Sequence, residues 1–532
     1  MATTLLVKSL IVVVGYLIYS RFLRKHKNLP PGPKGVPLLG NIFNLPSKDQ
    51  LEYEHWNSLS DKYGPIASVT VFGQPMIFIA DKEIAQDILE KKSLTSSGRP
   101  VFHFANCCGY TDVITLQQLG KQFKSERKAM HQTLGTKTLV SKYADVQEKE
   151  VGRMLLRTLK TPEKIFDHLE TEADAFILKI IYDYTVDPHG RDPLVGLIQR
   201  SVTNFARVAV PFARLVEFIP ALQRLPDGFP GTGFKEEAKH YREEIRVGVD
   251  VPFNFVRKQM SSRNRTNSYV ASLVQDYLGD SDELSSADAR TIKWSAAALH
   301  AGAAETTVST LLCFLLAMIK FPEAQRRAQE EVDRVTGGAR LPVLSDREKM
   351  PFIEAMVTET LRWLPIVPLG IVHTASEDIT YKGYDIPKGA YIFPEVWRFM
   401  QDPSVYPDPK KFDPERFLEP RNEPDPRWAV FGFGRRVCPG RYLADSALFL
   451  NLAYLVAVFD IGKATDEQGN EIEPKIEVAR GMIARPKSFP LKVTPRSEKY
   501  VELIKAVERD HPWEEGDGSQ LGELPPLTTE KK

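Results

Sequence analysis

The segment FGFGRRVCPG, residues 431–440, places glycines at 432, 434 and 440 and two arginines, Arg435 and Arg436, around Cys438, which Pro439 follows. Glycine lets backbone turn tightly or approach a flat ligand without a Cβ in the way, so this spacing describes a loop wrapped closely around one sulfur. Pro439 opens a run that is apolar to Phe459 and reads as a helix. A cysteine at a helix N-terminus meets free N–H groups and the positive end of the dipole, which stabilise a thiolate able to bind a metal. The alternative, an inert cysteine in an ordinary glycine turn, is left open by the local pattern. Cys107, Cys108 and Cys313 lack this context, and no pair of cysteines shows zinc-type spacing with histidines.

Four other stretches carry chemistry. In ETLR, Glu359 and Arg362 stand at i and i+3 on one helix face beside the apolar WLPIVPLG. Such a pair is usually solvated and worth little. FDPERF, residues 412–417, supplies a second arginine, Arg416, and a buried glutamate with two arginines would lock that loop onto the helix. In LHAGAAETTVST, residues 299–310, Gly302, Glu305 and Thr306 share one face of a long apolar helix. Glycine weakens the ladder and a threonine hydroxyl can bond the preceding turn's carbonyl, so an opening that admits water or a small ligand is expected; the plain alternative is a kinked core helix with a surface glutamate. In GKQFKSERKAMH, residues 120–131, a helical projection points Phe123 and Arg127 one way and Lys121, Lys124 and Lys128 roughly the opposite way. The inward pair suits a bound anion. The outward lysines suit an acidic partner or a solvated basic face.

The elements that must position these residues are mainly α with small β-sheets. Long helical stretches are expected over about 118–134, 141–160, 165–186, 290–320, 322–335, 347–363 and 439–457, the last five with clear apolar periodicity. ASVTVFG and MIFIA predict a hairpin near 67–80, with strand character again near 377–393. LPPGPKGVPLLGN, residues 29–41, has prolines at 30, 31, 33 and 37 and reads as a stiff extended segment. The chain then divides into residues 1–27, a hinge over 28–41, a main body over 42–496, and a polar, partly disordered tail with a short helix over 497–532. No internal repeat is present.

With 42% hydrophobic and 26% charged residues the chain can bury a large core, and a formal net charge of +1 makes no overall case for a nucleic-acid partner. Four cysteines make no disulfide framework, which fits a reducing compartment. Residues 1–27, MATTLLVKSLIVVVGYLIYSRFLRKHK, are largely apolar from Ala2 to Tyr19 apart from Lys8, and Arg21, Arg24, Lys25 and Lys27 follow. That length is near the lower limit for a spanning helix, and Lys8 can snorkel to a headgroup. A basic flank after the apolar run and no small-residue cleavage pattern oppose a secretory signal peptide. The expectation is a single N-terminal transmembrane helix with the rest of the chain cytoplasmic and the sequon at Asn264 unglycosylated.

Together these residues resemble the cytochrome P-450 superfamily of haem-thiolate monooxygenases, over roughly residues 29–496. Phe431, Gly434, Arg436, Cys438 and Gly440 match the family's haem-binding pattern, and the proline hinge, lysine-bearing helix, acid–alcohol helix, Glu-x-x-Arg, Pro-Glu-Arg and cysteine loop follow the family's order. The resemblance implies the cytochrome P-450 fold and haem b (iron protoporphyrin IX), with Cys438 as axial iron ligand and Arg436, Arg127 and His373 of IVHTASED on the haem propionates. It makes Glu359, Arg362 and Arg416 the structural triad, and Glu305 and Thr306 the acid–alcohol pair that handles protons during dioxygen cleavage. Four positions depart from the usual pattern: Phe123 stands for tryptophan, Ala303 for a second glycine, Glu305 for aspartate and Glu395 for asparagine.

By the same resemblance, NADPH is used through a separate reductase that docks on Lys121, Lys124, Lys128, Arg435 and Arg441, and the protein sits in the endoplasmic reticulum membrane. Pocket positions implied are 102–110, Ala298, Gly302, Ile366 to Ile371 and Gly481 to Ile483, which suit a compact lipophilic substrate. The chain is similar to fungal secondary-metabolism members of the O-methylsterigmatocystin oxidoreductase type. That implies oxidation of a terpenoid, with an aromatic polyketide or an indole compound as alternatives. A haem-thiolate isomerase or dehydratase and a non-catalytic haem protein share the cysteine loop; the intact Glu305–Thr306 pair argues against the isomerase or dehydratase.

Overall fold

The computed structural model describes residues 28–522 and 524, except 211–212, 263–266 and 282. The anchor expected over 1–27, the sequon at 264 and the last residues of the tail lie outside the described residues. Helices of ten residues or more are α1 (Glu52–Tyr63), α2 (Lys121–Leu134), α3 (Ala144–Lys160), α4 (Ile165–Tyr182), α5 (Pro193–Val208), α6 (Phe234–Ser261), α7 (Tyr269–Leu278), α8 (Ser286–Lys320), α9 (Pro322–Thr336), α10 (Pro351–Trp363), α11 (Arg441–Val458) and α12 (Glu498–Asp510). The strands are β1 (Ile66–Val71), β2 (Gln74–Ile79), β3 (His373–Thr374), β4 (Ile379–Tyr381), β5 (Tyr384–Ile386), β6 (Tyr391–Pro394), β7 (Phe459–Gly462) and β8 (Lys492–Pro495).

Helix α8 is the spine. Ser285 starts it, its hydroxyl accepting the Asp288 N–H at 3.1 Å. From Val308 to Ile319 every residue is buried, so this half is apolar all round and must be enclosed. It packs with α3, α10 and α11 in the largest apolar cluster. Helices α8 and α11 are both long and apolar enough to cross a membrane, but 72% and 83% of their apolar windows are buried inside the fold, which makes them core helices.

The largest sheet has the order β1-β2-β6-β3, antiparallel except for β2 and β6, which run parallel with Met76 opposite Tyr391. Edge strand β3 pairs His373 with Ile392 of β6. On its other side Gly98 and Thr374 exchange backbone hydrogen bonds of 3.0 Å each. A Cβ at Gly98 would stand 2.3 Å from the Thr374 hydroxyl, so only glycine permits this pairing, which sets Arg99 beside His373.

The seven helices expected from the sequence are present with ends shifted by a few residues, and the hairpin falls at 66–79. Helices α1, α5, α6 and α7 were not anticipated. Helix α6 shows why: its first turns, FKEEAKHYREE, are polar, and Pro252 lies inside it. The tail is a second departure. Helix α12 buries Ile504 and Val507 against α3, where a Cβ at Gly152 would come within 2.9 Å of Val507 Cγ1. Both the Arg153 and Arg157 guanidiniums lie over the Trp513 ring, at 5.2 and 4.9 Å. Asp517 then accepts the Thr185 N–H at 2.8 Å. Through Leu521 the segment is docked; a few apolar anchors among many charges give it the composition of a tail.

Replacing Ile504, fully buried in this docking, by alanine should destabilise the protein by about 2–4 kcal/mol. Thermal unfolding of Ile504→Ala, with loss of protease resistance at the C-terminus, checks it.

Candidate active site

The cysteine loop is built by two obligatory glycines. Gly432 and Gly434 have φ of 78° and 51°, the left-handed region that side chains avoid. A Cβ at Gly434 would also lie 2.5 Å from the Leu89 carbonyl oxygen. The Gly434 N–H donates to Glu90 Oε1 at 2.9 Å, and the Cys438 N–H closes the loop on the Phe431 carbonyl at 2.7 Å. Gly440 differs, with φ of −89° and only the Cys438 sulfur, 3.9 Å away, in front of a would-be Cβ. Its lack of a side chain keeps clear the space beside the sulfur.

Cys438 keeps some accessible surface, yet enough protein surrounds the sulfur for burial to dominate its ionisation. Burial pushes the thiol above its ordinary range, against the Gly440 N–H and the nearby charges of Arg127 and Arg441. The helix terminus expected to give a ready thiolate is therefore outweighed. A metal cation at the sulfur would reverse that balance.

Next to it lies a group of cations without counter-ions. Arg436 donates to the carbonyls of Ser97 at 2.9 Å, Gln117 at 2.6 Å and Ile114 at 3.3 Å, with its guanidinium 4.2 Å over the Phe123 ring. Arg99, 5% exposed, donates to the carbonyls of Ile371 and Val372, and its Nε has no partner. Burial, then the neighbouring Arg127, pulls Arg436 down to about 10; burial, then Arg436, holds Arg99 well below its ordinary value. Burial also lowers Arg127. None of the three meets a carboxylate among the described residues. Buried guanidiniums this close call for an anion with more than one carboxylate, and the two propionates of a haem fit that donor set.

His373 Nδ1 donates to the Ser96 carbonyl at 2.9 Å. Burial, then Arg99, holds His373 well below its ordinary value, so it is neutral and its Nε2 is an acceptor. The structure thus brings His373 to the cluster as a base. Arg99 was missed by sequence reasoning: GRP marks a close approach and an extended residue before proline, but nothing local names the partners.

On α8, Leu299 and His300 are buried, whereas Ala301 and Gly302 are exposed in the middle of the helix. A Cβ at Gly302 would meet nothing within 4 Å. The Thr306 hydroxyl donates to the Gly302 carbonyl at 2.7 Å, the back-bond that opens a helix face. Glu305 is half-buried and has no hydrogen bond or ion pair among the described residues. Ala304 and Phe431 pack against one apolar cluster, which ties this opening to the cysteine loop.

Glu359, Arg362 and Arg416 come together fully buried. Arg362 grips Glu359 through two bonds of 2.6 and 2.8 Å, Arg416 Nε reaches Oε1 at 3.4 Å, and the Asp413 N–H donates at 2.8 Å. Burial pushes the Glu359 carboxyl up, and these donors work against it. The guanidiniums also bind the carbonyls of Met400, Pro407, Pro409 and Asp408. Elsewhere, Lys121, Lys124, Lys128 and Arg435 are exposed as projected, and Phe123 is buried. In the expected pocket loop Phe102, Phe104, Cys108 and Tyr110 are buried in an apolar cluster with Val208 and Val216, so they form the core of a wall. Val101, Ile366 and Met482 keep accessible surface.

Removing one member of the triad strands the others. Glu359→Ala should cost about 3–5 kcal/mol, because Arg362 is left buried without a carboxylate and Arg416 keeps only Glu423, 3.2 Å away. Its check is the yield of protease-resistant protein and the thermal midpoint, with Glu359→Gln milder.

The family model for cytochrome P450 matches residues 30–493. The chain is 45% identical to cytochrome P450 monooxygenase CLM2 of Gibberella zeae, over 96% of this chain and 98% of that one. It is 39% identical to the multifunctional cytochrome P450 monooxygenase af510 of Aspergillus fumigatus, over 91% of each. It is 38% identical to O-methylsterigmatocystin oxidoreductase of Aspergillus flavus, over 93% and 92%. With a tight glycine–cysteine loop, uncompensated arginines and an opened helix in one mainly helical fold, the chain belongs to the cytochrome P450 family, whose cofactor is haem iron, and its enzyme class is that of a cytochrome P450 monooxygenase.

Proposed function

We propose that this enzyme takes electrons from NADPH through a separate reductase and inserts one atom of dioxygen into a lipophilic secondary metabolite, a terpenoid in the preferred reading. The observation that carries it is the pairing of the half-buried Cys438, beside guanidiniums that meet no carboxylate among the described residues, with the exposed Gly302–Thr306 face of α8. Cys438 would hold haem b through its thiolate, and the bound group would supply the redox chemistry with dioxygen.

The protein's share is binding, positioning and proton delivery. Arg99, Arg127 and Arg436 hold the propionates, with His373 at the edge of the cluster. The Thr306 hydroxyl, now on the Gly302 carbonyl, can turn into the opening and present its proton there. Glu305, with no hydrogen bond or ion pair among the described residues, can pass protons between that opening and water. Val101, Ala301, Gly302, Ile366 and Met482 offer only apolar or backbone surface, which orients a hydrocarbon skeleton and excludes water. The exposed Lys121, Lys124, Lys128 and Arg435 offer an acidic reductase its docking face. An aromatic polyketide or indole substrate is the alternative. Residues 1–27 would anchor the enzyme in the endoplasmic reticulum membrane with this domain in the cytoplasm.

Membranes holding the enzyme and a reductase, fed terpenoids under isotope-labelled dioxygen, should yield a labelled product only with NADPH. Conversion with neither label nor NADPH would move the protein to the isomerase or dehydratase class. Thr306→Ala is expected to lower product per NADPH by about an order of magnitude, the modest end for a lost proton-transfer group that water can replace. Product and NADPH measured together decide this, and undiminished coupling would remove Thr306 from the proton path.

A further inference from the structure

A second carboxylate lies beside the arginine cluster and takes no part in the chemistry above. Glu126, on α2 next to Arg127, is fully buried. Its Oε1 accepts from Gln117 Nε2 at 2.9 Å and from Gln122 Nε2 at 2.7 Å, while its Oε2 has no partner. Gln117 is the hinge of the arrangement. Its Nε2 also donates to the Asp112 carbonyl at 2.7 Å, and its own carbonyl accepts Arg436 Nη2 at 2.6 Å. Phe123, one turn before Glu126 on the same helix, lies under the Arg436 guanidinium.

We propose that Glu126 is a positioning residue for the cofactor-holding cluster: through Gln117 it fixes the carbonyl that seats Arg436, and its charge makes reduction of the bound cofactor depend on pH. The inference rests on the haem reading of the site.

The surroundings leave the carboxylate without a cation of its own. From the 112–118 loop it faces Asp112 and Gln117, from α8 Arg290 and Thr291, and from α7 Tyr269, while its own helix contributes Gln122 and the adjacent Arg127. Arg290 is engaged by Asp112, and Arg436 by three carbonyls. Burial pushes the Glu126 carboxyl up to about 7, against its two amide donors. The sign follows. Below that pH the group is neutral; above it, a buried negative charge appears behind the seat of Arg436, one residue removed through Gln117, and favours the more positively charged, oxidised cofactor. Reduction therefore becomes harder as pH rises through neutrality.

Two substitutions separate charge from position. Glu126→Gln keeps an oxygen for Gln117 and Gln122 and removes the charge. Glu126→Leu removes both, with Gln117→Ala as the alternative should Glu126→Leu fail to fold. The measurements are the cofactor's midpoint potential between pH 6 and 8 and the rate of haem transfer to apomyoglobin. The wild-type potential should fall with pH more steeply than that of Glu126→Gln, which should lie higher at pH 8 with wild-type haem retention. Glu126→Leu or Gln117→Ala should lose haem several-fold faster. Identical pH curves for wild type and Glu126→Gln would overturn the charge part, and unchanged haem loss in the other variants the positioning part. A wild-type protein that binds no haem would instead sink the reading of the site itself.

Discussion

The arrangement of the site depends on one buried carboxylate. Glu359 sits fully buried with a guanidinium on either side, and through Arg362 and Arg416 it reaches the carbonyls of Met400, Pro407, Asp408 and Pro409. Those residues belong to a stretch with little regular secondary structure, whose buried carbonyls need donors that no helix or sheet supplies. The two arginines are those donors, and Glu359 offsets the cost of burying them. Arg427 continues the chain of contacts, linking Glu354 of α10 to Asp445 of α11 at 3.0 and 2.8 Å. Between these two fixed points the backbone enters the cysteine loop, so the position of Cys438 is inherited from charge pairing some eighty residues earlier in the chain.

The same fold treats buried arginines in opposite ways. At the triad each guanidinium is matched by a carboxylate and carbonyls. At Arg99, Arg127 and Arg436 carbonyls are present, where any are, but the carboxylate is missing. Their basicities fall for the same reason that a dianionic ligand would bind: like charges held together in a poorly solvated place are relieved by an anion. The exposed turn of α8 is the counterpart. It presents Ala301 and Gly302, with the Thr306 hydroxyl turned back onto the Gly302 carbonyl and Glu305 half-buried beside it.

Local pattern made much of this legible. A long apolar run forces a buried helix, glycines with positive φ are demanded by the turn that holds Cys438, and ETLR followed by PER needs only one loop to close into a triad. What stayed hidden lacks a local signature. Helix α6 begins polar and contains Pro252, so its periodicity is diluted. The last described segment docks through Ile504, Val507 and Trp513, three anchors among charged residues. The resemblance implies a pocket wall at 102–110, yet most of the rings there turn inward to other apolar residues.

The sequence by itself determined which groups exist and in what order: a cysteine in a glycine loop, an acid–alcohol pair on an apolar helix, two arginines for one glutamate, and a row of lysines opposite a phenylalanine and an arginine. These follow from covalent spacing and helical period, which are local quantities. Only the tertiary structure decided what state those groups are in. Burial raised the Cys438 thiol above what a helix terminus would give it, burial and then the charge of Arg99 kept His373 neutral while the Ser96 carbonyl fixed which ring nitrogen carries the proton, and β3 pairing recruited Arg99 itself. Glu126 became a buried acid because the 112–118 loop and helices α7 and α8 closed over it. Ionisation depends on solvent and on charges brought from distant parts of the chain, and neither is written in the neighbouring residues.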